Sequence, residues 1–368
     1  MRPKPFYTPK SKIRQLHIDW PLFLGILSLC LLGLCILYSA QHNMDTLQRQ
    51  IMRLILAFGC MFGIAQIPPR FVKKSAPWLY GSSLLLLSTV LFIGHISKGG
   101  QRWLDLGFFH FQPAELMKLG VPMMIAYYFS DRSLPPKLSH LIVPGLLILI
   151  PVFLIAKQPD LGTALVILSS GIWVIFFTGL PWSRLLILLG MGIAGLPALW
   201  WSMRDYQKER LLAFWNPEHD PLGSGYQIIQ SKIAIGSGGL YGKGWLNGTQ
   251  SQLEFLPERT TDLIFAVWSE EFGLVGCLLM IALYLCIILR GLYISTQAQD
   301  TFGRLLAGSL VMTLFVYVLV NMGMVSGLLP AVGVPLPLVS YGGSSIVTLM
   351  LGFGLLMSMH THRSLLTR

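Results

Sequence analysis

The sequence predicts an all-α polytopic membrane protein with about ten transmembrane helices, an outer-facing polar cavity and one long outer loop. Hydrophobic residues make up 54% of the 368 residues and charged residues only 12%, a composition that a soluble domain of this size does not show. The hydrophobic residues also gather in stretches of about 20 residues, the length that crosses a hydrocarbon core. Together these two observations indicate a chain that folds in a lipid bilayer.

Ten apolar stretches follow one another, seven before a long polar segment and three after it. We place the spans at 20–39, 50–68, 77–97, 114–130, 141–157, 163–180, 182–201, 263–290, 304–326 and 343–360. The chain then divides into a basic arm (1–19), seven spans (20–201), the long loop (202–262), three spans with a re-entrant loop (263–360) and a tail (361–368). The basic arm leads into a full-length span, so no cleaved signal peptide is expected.

Both termini are predicted to lie in the cytoplasm. On that topology four cytoplasmic segments hold 12 Lys and Arg residues, whereas two outer segments hold three, as the positive-inside rule requires. The cytoplasmic segments are 1–19, 69–76, 131–140 and 361–368, and the outer segments are 40–49 and 98–113. The net charge of +11 therefore indicates topology and contact with anionic lipid rather than nucleic-acid binding. On this topology the long loop lies on the outer side of the membrane.

The run LEFLPERTTDLIFA, residues 253–266, carries charges to the edge of a strongly apolar segment. It includes Arg259 and Asp262, and an ionisable group at membrane depth is costly unless it is paired or hydrated. We select Asp262 as the catalytic candidate. The alternative is that Asp262 only caps the next helix, because Thr260, Thr261 and Asp262 are all good N-cap residues.

A second polar stretch, residues 98–120, surrounds the start of the fourth span and contains Arg102, Glu115 and Lys118. Glu115 and Lys118 are three residues apart, so on a helix they share a face and can pair. We interpret them as polar cavity residues. The alternative is an interhelical salt bridge that only holds the bundle together.

Two connections rich in Pro and Gly complete the polar end of the predicted bundle. The turn at 157–163 carries Asp160; Pro159 and Gly162 account for the turn but not for the acid. The segment 327–345 contains too many Pro and Gly residues for a regular helix. Irregular backbone at membrane depth is tolerated only where it lines a wet or protein-walled cavity, so this segment predicts a re-entrant outer loop.

The long loop contains a predicted helix and a glycine-rich run. The stretch Tyr226–Gly236 places three isoleucines on one helical face and Lys232 away from it, which is typical of a short helix in the membrane interface. The run at 236–244 fits either backbone nests that bind anions or a flexible interfacial loop.

A helical bundle with an outer polar cavity fits two classes of function. One is an enzyme that acts on a polyisoprenoid phosphate, with cations for the diphosphate and a carboxylate as base. The other is a transporter or flippase that uses the same charges as a pathway. No inverted repeat is evident in the sequence, which weighs modestly against transport. A non-catalytic scaffold leaves the acid–base cluster unexplained.

Five stretches of the chain resemble one family. They are ISKGGQRWLDLG, FQPAELMKL, QPDLGT, the stretch from Ser231 to Gly276, and NMGMVSGLLPAVGVPLPLVSYGGSS. In this order and spacing they resemble the SEDS family (shape, elongation, division and sporulation), and its elongation member more than its division member. The resemblance covers nearly the whole chain, with no departure in the motif acids or cations.

The resemblance implies a ten-helix peptidoglycan glycosyltransferase that joins lipid II disaccharide units into glycan strands and releases undecaprenyl diphosphate. The implied partners are a class B penicillin-binding protein, which crosslinks the strands, and other membrane proteins of the elongation complex; no nucleic acid is implied. Partner contact is expected at the eighth and ninth spans, through Gly273, Gly276, Ala307 and Gly308. The alternative is that these small residues serve packing inside the bundle.

The resemblance assigns the functional residues of the family to matching positions in this sequence. The essential aspartate of the family matches Asp262, which we assign as general base. Its cavity pair matches Glu115 and Lys118, and its third acid matches Asp160. Phosphate binding is assigned to Lys118 with Arg102 and either Lys232 or Arg259. Glu115 is expected to orient Lys118, and Asp160 to tune the cavity or to help bind a divalent cation, Mg²⁺ or Mn²⁺.

Overall fold

The computed structural model describes residues 17–97, 100–105, 110–203, 205–217, 223–253 and 255–362. Helices dominate. In chain order they are α1 (Trp20–Gln41), α2 (Met44–Ala65), α3 (Pro69–Ile93), α4 (Pro113–Ser130), α5 (Ile142–Lys157), α6 (Leu161–Phe177), α7 (Trp182–Ser202), α8 (Asp205–Trp215), α9 (Ser224–Ser237), α10 (Thr249–Gln252), α11 (Ile264–Gln297), α12 (Thr301–Val325) and α13 (Ser344–Thr361). Most of the predicted basic arm and most of the tail lie outside the described residues.

The predicted membrane class is confirmed. Among the described residues, seven helices are long and apolar enough to cross a bilayer: α1, α2, α3, α5 with the turn before it, α11, α12 and α13. Two shorter apolar helices are α6 and the first part of α7, and α4 carries Glu115 and Lys118. A helix therefore overlaps every predicted span, whereas the number of helices that cross the membrane stays a prediction.

The all-α membrane class holds, with one small sheet between α3 and α4. This three-stranded antiparallel sheet has β1 (His95–Ser97), β2 (Gly100–Asp105) and β3 (His110–Phe111). Its register pairs Ser97 with Gly100 and Leu104 with Phe111. A Gly-Gly pair between short runs that contain β-branched or aromatic residues is a hairpin signal, and the HISKGGQRW stretch contains such a pair.

The bundle is built around α12. This helix packs against α4, α6 and α11, while α13 packs against α2 and α1 packs against α11. Since α12 has buried residues on every side, it behaves as a core helix that is apolar all round. Its neighbours therefore bring the loops that follow α5, α9 and α12 to one end of the bundle.

The helix predicted in the long loop is present as α9, and one of its faces packs against the protein. Ile228, Ser231 and Ala234 are buried and pack toward α11, whereas Ile233 is 44% exposed. The register follows the small residues because they allow close approach to α11. Its position in the membrane interface stays a prediction.

The glycine-rich run is tied to α11. The amides of Gly242, Lys243 and Gly244 donate to the carbonyls of Gly238, Glu270 and Glu271. These amides are therefore occupied, and the anion-nest interpretation is wrong for them.

Candidate active site

The α12–α13 loop, residues 326–343, contains no regular helix, as predicted. It lies against the turn that precedes α11. The amide of Tyr341 donates to the carbonyl of Thr260 at 2.8 Å, and the Ser340 hydroxyl donates to the carbonyl of Thr261 at 2.6 Å. The loop and the Asp262 turn therefore form one hydrogen-bonded unit.

Asp262 lies in this turn, one residue before Leu263, the N-cap of α11. It is therefore outside the N-cap position that the capping alternative gives it. A Cβ at Gly333 would stand 3.5 Å from Asp262 Oδ2 and 3.7 Å from Arg210 Nη1. Gly333 has a φ of 73°, a conformation that favours glycine. The loop thus brings its backbone close to the carboxylate and to a cation on α8.

Asn321 of α12 holds the two parts of this unit together. Its fully buried amide donates to the carbonyl of Asp262 at 2.9 Å and to the carbonyl of Val334 at 2.7 Å. Because each buried carbonyl needs a donor, this side chain fixes the backbone of Asp262 relative to the loop.

Two of the predicted phosphate-binding cations differ in their surroundings. Lys232 is exposed on α9 and its side chain crosses Gly327, where a Cβ would overlap it. Arg259 donates from Nη1 to the carbonyl of Ser251 at 2.7 Å, which ties it to α10. Lys232 therefore contacts the α12–α13 loop, and the described contact of Arg259 is to another element.

Arg102 and Asp160 form a second group. Arg102 on β2 donates from Nε to the carbonyl of Gln158 at 3.2 Å, also donates to the carbonyl of Pro159, and lies 3.8 Å from Asp160 Oδ2. Asp160 is the N-cap of α6 and accepts from the amide of Thr163 at 3.1 Å. The arginine thus holds the predicted turn, and Asp160 serves as cap and ion-pair partner at once.

Glu115 and Lys118 pair as their spacing predicts. Their Oε1 and Nζ atoms are 2.6 Å apart and both side chains are buried. Lys118 Nζ lies 5.2 Å from the centre of the Tyr317 ring, a distance suited to a cation–π contact. The three residues line one end of a cavity of about 40 Å³, whose remaining wall comes mainly from apolar side chains of α12 and α13.

The Glu115–Lys118 pair is connected to the Asp262 turn through Tyr317 and the α12–α13 loop. Tyr317 lies against Lys118 and packs in one apolar cluster with Val334 of the loop. A loop that contacts Asp262 at Gly333 therefore also reaches the buried pair. All seven predicted site residues lie in the described part of the chain. Six of them flank this loop: Asp262 and Lys232 on one side, and Arg102, Glu115, Lys118 and Asp160 on the other. Arg259 is bound to α10 instead.

Sequence reasoning missed several residues of this region. Arg210 stands in an ordinary helical context and carries no sequence signal. Asn321 carried one, because it is a polar residue within the predicted span 304–326 and the first residue of the NMGMVSGLLPAVGVPLPLVSYGGSS stretch. Arg53 of α2 stacks 4.6 Å from the centre of the Tyr341 ring. Gln112 donates to Asp160 Oδ2 at 3.0 Å, and here a signal existed: a Gln-Pro pair precedes both Glu115 and Asp160 in the sequence.

A helical membrane bundle with an acid–base group around a non-helical loop defines a membrane-embedded enzyme. The family model described as FTSW_RODA_SPOVE, cell cycle protein, matches residues 20–365. The chain belongs to this family, and the resemblance seen in its motifs is confirmed.

Similar proteins agree with this membership. The chain is 51% identical to the peptidoglycan glycosyltransferase MrdB of Escherichia coli strain K12, over 96% of each chain. It is 32% identical to the peptidoglycan glycosyltransferase RodA of Treponema pallidum, over 94% of this chain and 98% of that one.

Solved structures agree with it as well. The rod shape determining protein RodA of Thermus thermophilus is similar, with a TM-score of 0.72 and 32% identity over 94% of this chain and 98% of that one. A chain from a structure described as "Structural coordination of polymerization and crosslinking by a peptidoglycan synthase complex" has a TM-score of 0.82 and 35% identity, over 94% of this chain and 99% of that one.

Proposed function

We propose that the protein polymerises lipid II into β-1,4-linked glycan strands at the outer face of the cell inner membrane, for cell elongation and rod shape. The observation that carries the proposal is the group of Asp262, Lys232 and Arg210 around one loop, in a chain 51% identical to a peptidoglycan glycosyltransferase. Both termini are then cytoplasmic and this group faces the periplasm.

The chemistry requires a base and positive charge. The 4-hydroxyl of an acceptor GlcNAc attacks the anomeric carbon of a MurNAc diphosphate with inversion. The new C–O bond forms as the bond to the diphosphate oxygen breaks, and the hydroxyl proton passes to a base. We assign Asp262 as this base, because its carboxylate is partly exposed in a turn beside the side-chain-free Gly333.

The negative charge of the departing undecaprenyl diphosphate is best stabilised by cations that are already positioned beside it. Lys232 and Arg210 both contact the α12–α13 loop and are exposed, so we assign the diphosphate to them. Arg102 binds the carbonyls after α5 and lies near Asp160, which supports a role in holding that turn. Arg259 supports the Asp262 turn from α10.

Lys118 has a buried position with Glu115 as its partner. Glu115 orients Lys118 at the end of the cavity, and Lys118 supplies positive charge to the lipid-linked phosphate when the substrate enters. Asp160 tunes the cavity from the start of α6, where it caps the helix and lies 3.8 Å from Arg102 Nη1.

A divalent cation, Mg²⁺ or Mn²⁺, stays a prediction. Within the described ranges, no three His, Cys, Asp or Glu side chains converge as a metal site. Each carboxylate oxygen of Asp160 accepts one protein hydrogen bond and keeps a second lone pair, so Asp160 stays the residue that would hold the cation. No step of the reaction above is routed through this cation.

A class B penicillin-binding protein and other elongation-complex membrane proteins are the proposed partners. The small residues expected to receive the partner are buried instead: Gly273 meets the glycine-rich run, Gly276 meets Trp268 and Gly308 meets Phe177. Ala307 is fully buried. The burial of these residues supports the alternative interpretation, in which they serve packing inside the bundle. We therefore assign partner contact to the outward surface of α11.

A lipid II flippase is the alternative that the same charges fit, and it is not favoured, because the similar proteins are named as glycosyltransferases. The deciding experiment supplies labelled lipid II in detergent micelles, where no second leaflet exists. We expect long glycan from purified protein with a partner whose transpeptidase is inactivated. Purified, folded protein that makes no polymer with this partner present would overturn the assignment.

A further inference from the structure

Glu270 is a buried carboxylate that the proposed reaction does not use. Its side chain is fully buried in the second turn of α11. Its Oε1 atom accepts hydrogen bonds from Lys243 Nζ at 2.6 Å, from the Thr249 hydroxyl at 3.0 Å and from the amide of Gln250 at 3.0 Å. One carboxylate thus binds both the glycine-rich run and the start of α10. We name this arrangement the Glu270 junction.

Backbone hydrogen bonds reinforce the junction on both sides of a break in α11. The break is at Gly273, which has a φ of 62°. Leu274 and Val275 donate their amides to the carbonyls of Gly239 and Leu240, at 3.0 and 3.1 Å. Hydrogen bonds that the break removes from the helix are therefore replaced by the glycine-rich run.

Close packing makes the junction rigid. A Cβ at Gly238, Gly242 or Gly273 would overlap backbone atoms of the facing segment. The neighbouring Glu271 accepts from the Ser39 hydroxyl of α1, so the same two turns are also held by the first helix. Breaking a buried ion pair on one side leaves an uncompensated charge, which is strongly unfavourable.

The junction lies between the two groups that the proposed reaction needs. Asp262 is two residues before α11, and Glu270 is on the helix that this turn begins. Lys232 is on α9, which packs against α11 and leads directly into the glycine-rich run. Movement of the run relative to α11 therefore changes the distance between the base and the cation.

We propose that Glu270 and Lys243 are positioning residues, whose ion pair holds α9 and the start of α11 as one unit so that Lys232 and Asp262 stay in register at the α12–α13 loop. The inference rests on the proposed polymerase function. The ion pair touches neither sugar nor phosphate; it acts through the elements that carry the reacting and binding groups.

The kinetic test compares Glu270→Gln, Lys243→Gln and Lys243→Arg in the full chain with its partner. Glutamine keeps the size of each side chain and removes its charge. We expect kcat to fall about tenfold in the two glutamine variants with KM changed by less than about twofold, since small displacements of reacting groups lower the rate strongly. Lys243→Arg keeps the positive charge, so we expect this variant to retain most of the wild-type kcat. Asp45→Asn and Lys74→Gln, at exposed sites on α2 and α3, are the matched controls.

Hydrogen–deuterium exchange in micelles gives a readout that does not depend on activity. In Glu270→Gln and Lys243→Gln we expect faster exchange in residues 238–253 and in the Asp262 turn, with the α5 amides unchanged. Wild-type kcat in both variants, with wild-type exchange in the Asp262 turn, overturns the positioning role. If the wild-type protein makes no polymer, the proposed polymerase function is wrong. Faster hydrogen exchange in the variants would then still show that the ion pair couples α9 to the start of α11. Should Glu270→Gln fail to fold, Lys243→Gln decides, because Lys243 is partly exposed.

Discussion

At the scale of single residues, the position of Asp262 separates a catalytic role from a helix-capping role. The aspartate precedes the N-cap Leu263, and its carbonyl is bound by Asn321. A residue held by its backbone at a position before the N-cap keeps its carboxylate beside Gly333 of the loop. Removing its charge is therefore expected to affect chemistry more than folding.

Asp262→Asn is the direct test. The carboxamide keeps the shape of the side chain but has no basicity, so we expect glycan polymerisation to fall by at least about 100-fold, with the melting temperature nearly unchanged. Lipid II polymerisation and thermal unfolding in detergent measure the two quantities. Polymer yields near the wild-type level would remove Asp262 from the role of base.

Glu115 and Lys118 allow a charge swap. If the pair is only structural, Glu115→Lys combined with Lys118→Glu restores much of what each single change removes. If Lys118 also binds phosphate, the swapped protein folds and stays inactive, because the charge at the end of the cavity has moved. We expect a folded, inactive swap. Recovered polymerase activity in the double variant would favour a purely structural salt bridge.

Asp19, the N-cap of α1, makes stability depend on pH. Burial raises the pKa of its carboxyl, but hydrogen bonds from His360 and Arg290 outweigh burial and hold the pKa well below its usual value of 3.8. A carboxyl of this kind stabilises the fold above its unfolded pKa, and that contribution is lost as the pH falls toward the folded pKa. We expect the melting temperature to fall more steeply in the wild type than in Asp19→Asn below about pH 4. Thermal unfolding in detergent measures this, and parallel curves would contradict it.

At the scale of elements, the α12–α13 loop connects parts of the site that are far apart in sequence. It contacts the Asp262 turn through Ser340 and Tyr341. It also contacts the start of α6, where Gly162 lies against Val332. Its own hydrogen bonds, between Leu336 and Ser340, form one turn. The contacts with neighbouring elements therefore help to fix this irregular segment.

Asn321→Leu tests how the loop is held. Leucine has a similar volume but no donors, so two buried carbonyls lose their hydrogen bonds. We expect a loss of about 2 kcal/mol in unfolding free energy and a fall in kcat, since the Asp262 backbone is no longer fixed. Chemical unfolding and polymerisation measure these. Asn216→Leu, at an exposed site after α8, is the control. Unchanged stability and kcat in Asn321→Leu would show that the amide does not hold the loop.

At the scale of the whole molecule, the outward surface of α11 is available for a single-span partner. Leu278, Leu285 and Leu289 are exposed and share one side of the helix, whereas Gly273 and Gly276 of the same helix are buried. Leu285→Trp is expected to lower co-purification of the class B partner at least about threefold, because a bulky ring disturbs close helix packing. Leu149→Trp on the exposed surface of α5 is the control. Full partner binding by several folded α11 variants would place the docking surface on other spans.

Several features were readable from the sequence because their physical causes are local. Long apolar stretches predict the spans, since the bilayer sets their length. Charged residues at the edges of those stretches selected Asp262, Glu115, Lys118 and Asp160, because such groups are costly at membrane depth. The Glu115–Lys118 pair followed from helical spacing alone.

The sheet at β1–β3 and the packing face of α9 were not specified by the sequence. Strand pairing in the sheet joins residues of a polar connection that has no apolar periodicity. Helical spacing placed the isoleucines of α9 on one face, but close packing against α11 decides which residues are buried, and Ile228 is buried whereas Ile233 is exposed. Packing between distant segments settles what local periodicity leaves open.

The sequence by itself determined the membrane class, the non-helical loop before α13 and the acids of the candidate site, because hydrophobic length, Pro and Gly content and buried charge act locally. Only the tertiary structure decided which cations accompany Asp262. Arg210 and Lys232 reach the α12–α13 loop from α8 and α9, while Arg259 is bound to α10. These neighbours depend on how the long outer loop folds back onto α11, and that arrangement rests on contacts between residues distant in sequence.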